Sequence, residues 1–295
     1  MTTLKKLTRY MNLLTDYAFK VIFGSEQNKD LLIDFINTVL EGEHRIVDLQ
    51  YKPCERLGLV EEDRRVIFDL FCQNDRDEWI LIEMQQARQN YFKDRALFYA
   101  SGLIQEQGYH GVWDYQLKAT YVIAILNFDM EPGADYIHRV CLYNESRKKR
   151  WSNSLHLVFL EASKVPKIWD ECKNHCEQWL YLIGNMHRLD GLPKDLQEQI
   201  FLKLFERCEI GKFPEVERIR YQSSLTEAER MEEALKYAKM EAARIGREEG
   251  REEGREEGEI RKSMEIAKNL LSIGMDPGQI SKATGLDLET VRQLQ

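Results

Sequence analysis

Apolar positions along the chain follow two periods. Between residues 12 and 40, Phe19, Phe23, Leu31, Leu32, Phe35, Ile36 and Leu40 recur at helical spacing, interrupted at Gly24-Ser25. Thr15 or Asp16 stands where a helix cap belongs. Residues 44–52, bounded by Gly42 and Pro53, read as a strand, as do 64–73 and 78–86. The turn formers from Asn74 to Glu78 predict that the last two pair as a hairpin. A helix is predicted over 91–107. The uniformly apolar run 119–128 reads as a strand buried on both faces. Two more strands, 139–146 and 155–162, flank the basic run Arg147-Lys148-Lys149-Arg150, and helices fill 169–188 and 194–207.

The last quarter has a different texture. Residues 227–243 are helical in pattern and lead into three Arg-Glu-Glu-Gly units over 247–258. On any helix drawn through them, Gly246, Gly250, Gly254 and Gly258 share a face. Each Gly costs about 1 kcal/mol relative to Ala. Glu248–Arg251 and Glu252–Arg255 pairs return only a few tenths each. The repeat therefore reads as a fraying linker, or as a helix that forms only against a partner. An oligomerisation stalk is the functional version and a solvated spacer the plain one. Residues 260–273 are amphipathic and end at Gly274; Asp276-Pro277 opens a new helix in cap-then-N1 order, and a short helix follows from Asp287. That outline fits a helix-turn-helix, but its second helix offers only Arg292 as a cation, so a small capping or dimerising bundle fits as well.

Composition narrows the class. With 295 residues, 43% hydrophobic and 31% charged, the chain can build a sizeable core in one or two domains. No 18-residue apolar run exists, so no membrane span is expected. No secretory signal is legible at the basic N-terminus. Six scattered cysteines fit reduced thiols in the cytoplasm and not a disulfide framework. The net charge of −8 argues against a nucleic-acid partner, yet residues 226–259 alone hold 12 acidic and 7 basic groups. Charges farther apart than about 8–10 Å are screened, so a local basic patch elsewhere can still attract phosphate.

The chemistry concentrates in 66–86. Alternation puts Ile67, Asp69 and Phe71 on one face of the second strand, and Leu81, Glu83 and Gln85 on one face of the third. If the turn is centred on Arg76, Asp69 stands opposite Glu83, with Cβ atoms about 4.5–5.5 Å apart. A one-residue slip would abolish this. Facing like charges destabilise a sheet, and the simplest compensation is a hard divalent cation such as Mg²⁺, with Mn²⁺ as a substitute. The plain alternative is a half-exposed hairpin with solvated acids.

Asp69, a 13-residue gap, and then Glu83-Met84-Gln85 resembles the PD-(D/E)XK nuclease pattern. Asp16-Tyr17-Ala18-Phe19-Lys20 with Phe23-Gly24, the Ile82–Gln85 strand, and Arg95 with Tyr99 resemble the Rpn family of recombination-promoting nucleases and transposases. The resemblance covers roughly residues 10–130 and, more weakly, the Gly- and Glu-rich tail. It implies an α/β restriction-endonuclease-like core, a mixed sheet flanked by helices, with a helical C-terminal extension. It also implies a metal-dependent DNA endonuclease of low sequence specificity, linked to recombination, transposition or phage defence. On this reading Asp69 and Glu83 hold the ion with the Met84 carbonyl, and Gln85 stands where the superfamily has Lys. Gln can hydrogen-bond the attacking water but adds no charge. The Pro of the general pattern is absent, since Phe68 precedes Asp69.

Other residues carry two readings each. Asp16 and Lys20 are i,i+4, an ordinary ion pair or a metal and phosphate contact. Arg95 and Tyr99 fit a phosphate clamp or a bridge to a nearby acid such as Asp94. Gln105 and Tyr109 match a Gln-x-x-x-Tyr pattern found in some nucleases. Arg147, Lys148, Lys149 and Arg150 beside Trp151 form a candidate DNA-backbone loop. Cys172, His175 and Cys176 read as packing before zinc ligation. The expected organisation is a nuclease core at 1–165, a helical subdomain at 166–225, a charged helical linker carrying the Arg-Glu-Glu-Gly repeat at 226–259 and a small helical, helix-turn-helix-like tail at 260–295. The partner is DNA, and a homodimer would cut both strands, although no interface is legible. The competing classes are a catalytically inactive DNA-binding or scaffold protein of the same fold and a stalk-mediated assembly module.

Overall fold

The strand-length apolar runs form a six-stranded mixed sheet. The structure, a computed structural model, describes residues 8–56, 66–67, 69–88, 91–108 and 114–294. These fall into two units, Met1–Thr226 and Glu227–Gln295. In the first, strands β1 (Leu49–Tyr51), β2 (Glu55–Arg56), β3 (Val66–Ile67), β4 (Leu70–Asn74), β5 (Trp79–Gln85), β6 (Thr120–Leu126), β7 (Ile137–Cys141), β8 (Tyr143–Asn144), β9 (Lys149–Arg150) and β10 (Leu155–Glu161) occur in chain order. The main sheet runs β1-β4-β5-β6-β10-β7, while β2-β3 and β8-β9 are separate ribbons. Strands β5, β6 and β10 are mutually parallel; β1, β4 and β7 are antiparallel to their neighbours. Every residue of β6 and β10 is buried, as continuous apolar runs in a covered parallel sheet require.

Helices cover both faces. On one face α1 (Asp16–Phe23), α2 (Lys29–Val39), α4 (His175–Asn185) and α5 (Gln199–Cys208) share a core with Cys72, Ile80, Ile82, Ile123 and Leu160. On the other, α3 (Phe92–Glu106) packs on Phe71, Leu81, Val122, Ala124 and Phe159. Residues 166–225 therefore belong to the same packed core as the sheet, and the boundary expected at 165 falls inside it. The helix predicted over 12–40 is divided after Phe23. Gly24 caps α1 by donating its N–H to the Lys20 carbonyl (2.8 Å). A Cβ there would lie 2.5 Å from that carbonyl oxygen and 2.9 Å from Leu70 Cδ2, so only glycine lets α1 approach the start of β4 this closely.

His175 ties three helices together on the first face. Its Nε2 lies 2.6 Å from Asp34 Oδ1 and its Nδ1 2.9 Å from Glu198 Oε2, while Trp179 Nε1 donates to the same Asp34 oxygen at 2.7 Å. The Asp34 hydrogen bond, supported by the charges of Asp34 and Glu198, raises the imidazole pKa above its usual value against the opposing effect of burial. A raised pKa means stability present below about pH 6.5 and lost as pH rises through the folded value. His175→Gln should remove that part of the pH dependence. Urea midpoints of both proteins at pH 6 and pH 9 test this, and equal pH slopes would contradict it.

In the second unit the expected linker is a helix. The long α6 (Glu215–Ser272, 58 residues) runs through the whole repeat. Propagation from the good helix formers on either side outweighs the glycine penalty once a nucleus exists. Of the two ion pairs expected, Arg255–Glu252 forms at 2.8 Å; Glu248 is instead held by Arg244 at 2.7 Å. Nothing lies within 4 Å of a Cβ placed at Gly246, Gly250, Gly254 or Gly258. After Gly274, at φ +81°, Asp276 caps α7 (Pro277–Thr284) and Asp287 caps α8 (Leu288–Gln293). Ala267, Ile280 and Val291 form their shared core. No helix among the described residues is long and apolar enough to cross a membrane.

Candidate active site

The hairpin register brings the two carboxylates together. Leu70 pairs with Ile82, Phe71 with Leu81 and Cys72 with Ile80, which is a turn centred on Arg76. Asp69 stands one residue before β4, at the joint where the chain leaves the β2-β3 ribbon, so the strand expected over 64–73 is two short ones. Phe68 lies outside the described residues. Glu83 shares its row with Leu81 on the α3 face, near the carboxyl end of β5.

Asp69 is fixed by a main-chain bond. The Met84 N–H donates to Asp69 Oδ2 at 2.6 Å. A strand residue presents its N–H and C=O to the same flank, which puts the Met84 carbonyl on the Asp69 side of β5. The Gln85 carbonyl faces the other flank and accepts the Asn127 N–H at 3.0 Å. The Gln85 side chain donates to Glu83 Oε2 at 3.4 Å. Glu83 Oε1 is buried and has no hydrogen-bond partner.

Electrostatics mark the pair as incomplete. Burial, then the Asp69 charge, pushes the Glu83 carboxyl up to about 8. Asp69 is also raised, mainly by burial and further by Asp16, against the Met84 hydrogen bond and Lys20. A buried acid with an unsatisfied oxygen beside a second acid is costly. The two cations near the pair come from different layers. Lys20 of α1 lies 2.7 Å from Asp16 Oδ1 and 3.9 Å from Asp69 Oδ1. On α3, the Arg95 charge lowers the Glu83 pKa, and its guanidinium stacks over Tyr99 and Phe92 at 5.7 and 5.9 Å. Among the described residues no cluster of three or more His, Cys, Asp or Glu side chains is placed to hold a metal. Two carboxylates with a neighbouring main-chain carbonyl match Mg²⁺, which takes one or two carboxylates and fills its octahedron with water and phosphate oxygens. The orphaned Glu83 oxygen fits such an ion.

Asp16, Lys20, Asp69, Glu83, Met84, Gln85, Arg95 and Tyr99 are thus gathered in one region. The basic run is not. Leu155 is level with Thr120 and Trp79, and Glu83 stands four residues further on, roughly 13 Å along the sheet. Arg147 and Lys148 lie in the β8-β9 turn and Lys149 and Arg150 form β9, before the start of β10 and past the opposite end of the sheet, with Arg150 bonded to Glu43 at 3.4 Å. Cys176 is buried in the core and His175 is taken by carboxylates. Gln105 is exposed on the last turn of α3, and Tyr109 lies outside the described residues. One feature at the same end of the sheet escaped the sequence. Glu161 closes β10 fully buried, level with Leu126 and so with Gln85. Its only sequence signal is an acid ending a strand that is apolar apart from His156.

A mixed sheet covered by helices on both faces, with an Asp and a Glu-x-Gln meeting at one end of its β4-β5 hairpin, is a PD-(D/E)XK nuclease-like fold. Residues 13–238 match the model of the PD-(D/E)XK nuclease family transposases, and the chain belongs to that family. No curated protein and no solved structure matches the chain.

Proposed function

We propose that the protein is a divalent-metal-dependent DNA endonuclease of low sequence specificity, acting in the cytoplasm in recombination, transposition or phage defence. The observation that carries this is the buried Glu83 carboxyl, with Oε1 lacking a hydrogen-bond partner, set against Asp69. Asp69 and Glu83 would hold the ion, with the Met84 carbonyl as a third ligand. Mg²⁺, or Mn²⁺ in its place, supplies Lewis-acid polarisation of the phosphodiester and a water of lowered pKa. The side-chain oxygen of Gln85 accepts a hydrogen bond from the attacking water and orients it in line with the leaving oxygen, giving 5′-phosphate ends. Arg95, braced on Tyr99, holds a phosphate oxygen of the same strand. Specificity is low, since among the described residues no base-reading element stands out. A dimer would let two such sites cut both strands.

The absence of a charged side chain at position 85 favours a second reading, a protein that keeps the fold and binds DNA without cutting it. Supercoiled plasmid incubated with purified protein decides between them. Nicking in Mg²⁺ that stops in EDTA supports the nuclease. Metal-independent binding with no nicking supports the second reading.

A further inference from the structure

In the proposed site a phosphodiester would meet two carboxylates, and a single divalent ion leaves that set of charges negative. A nearby cation is needed on the substrate side. Position 85 cannot supply it, because Gln is neutral. Arg95 lies on the α3 side, its guanidinium over two aromatic rings. Lys20 is on the other side, with its ammonium 3.9 Å from Asp69 and its side chain 35% exposed.

The placement of Lys20 is enforced by the fold. Thr15 caps α1, and Phe19, Ile22 and Phe23 anchor it in the core. Tyr51 Oη donates to the Phe23 carbonyl at 2.6 Å, and Gly24 admits the close approach to Leu70, next to Asp69. Stability alone does not account for Lys20. Its partner Asp16 is 62% exposed, and an exposed i,i+4 pair contributes little to folding.

From this arrangement we infer that Lys20 is a second catalytic cation of the site, across from Arg95: its ammonium contacts a non-bridging oxygen of the scissile phosphate, in place of a charged side chain on β5. Asp16 is a positioning residue that holds the ammonium beside Asp69. The inference rests on the nuclease reading above.

Five proteins test it: wild type, Glu83→Gln, Lys20→Met, Lys20→Arg, and Lys20→Met combined with Gln85→Lys. Single-turnover plasmid nicking should fall on the order of 10²-fold in Lys20→Met. It should recover at least about tenfold when lysine is returned to the strand at position 85. Lys20→Arg should retain more activity than Lys20→Met, which guards against a simple packing defect. A second readout needs no turnover. Duplex binding in EDTA, followed against salt by anisotropy, should lose about one unit of log–log slope in Lys20→Met. If wild type nicks, Glu83→Gln does not, and Lys20→Met matches wild type in rate and slope, the role of Lys20 is overturned while the nuclease reading stands. If wild type itself fails to nick in Mg²⁺, both fall together.

Discussion

Glu83→Gln is expected to abolish Mg²⁺-dependent nicking, by about 10³-fold or more, and to stabilise the metal-free protein at pH 8.5. The two effects share one cause. Gln keeps the size of the side chain and its bond to Gln85 but cannot balance a divalent ion. Ion catalysis is worth several kcal/mol, and each 1.36 kcal/mol is tenfold in rate. Without metal, the same carboxyl is a burden. Its folded pKa, pushed up to about 8, lies above the ordinary 4.5, so the folded protein holds a proton that the unfolded chain has lost. Stability from this group is complete below pH 4.5 and declines as pH rises through 8, by on the order of a few kcal/mol. Gln removes that decline. Urea unfolding in EDTA at pH 5 and pH 8.5 measures it. A variant that nicks like wild type, or that is less stable than wild type at pH 8.5, contradicts the assignment.

Glu161→Ala should destabilise the first unit strongly. The side chain accepts from the Met130 N–H at 2.8 Å and lies 2.5 Å from His138 Nε2 and 2.9 Å from Lys164 Nζ. It is fully buried, and the Lys164 side chain is nearly so. Lys164 in turn donates to the carbonyls of Glu131 and Asp135, and Lys93 of α3 pairs with Glu131. One carboxylate thus ties the segment after β6 to α3, the helix that presents Arg95. Removing one partner from a buried ionic cluster costs about 3–5 kcal/mol. For a unit of this size that is a fall of roughly 10 °C in Tm, since each kcal/mol moves it about 2–4 °C. Glu161→Gln keeps a hydrogen-bond acceptor and should lose less. A thermal melt of Glu161→Ala within 2 °C of wild type would show that the cluster does not bear on stability.

Local rules recovered the hairpin because its information is local. Turn formers from Asn74 to Glu78 and strict alternation on both sides leave one register, and Asp69 and Glu83 follow from it. The burial of β6 was equally legible, as a strand with no charged position. What escaped depends on distant partners. Alternation over 64–73 cannot show that Ile67 pairs with Glu55 while Leu70 pairs with Ile82, so the break beside Asp69 was invisible. The basic run at 147–150 looked like a phosphate contact because sequence spacing carries no information on which end of the sheet a turn occupies. Residues 166–225 read as a helical subdomain because an amphipathic face does not reveal what it covers. Glycine cost set against local ion pairs over 247–258 omits the cooperativity of the long helix around the repeat. The approach of Lys20 to Asp69 depends on a missing Cβ at Gly24, a contact between segments 46 residues apart (Gly24 to Leu70).

Calorimetric titration of Mn²⁺ into the metal-free protein at pH 7.5, repeated in buffers of different ionisation enthalpy, tests the carboxylate pair most directly. The expected result is binding that releases a proton in wild type, because the ion displaces the proton held by the Asp69–Glu83 pair. Binding should be lost in the Asp69→Asn, Glu83→Gln double variant. Equal Mn²⁺ affinity in the two proteins would contradict a metal site at this pair.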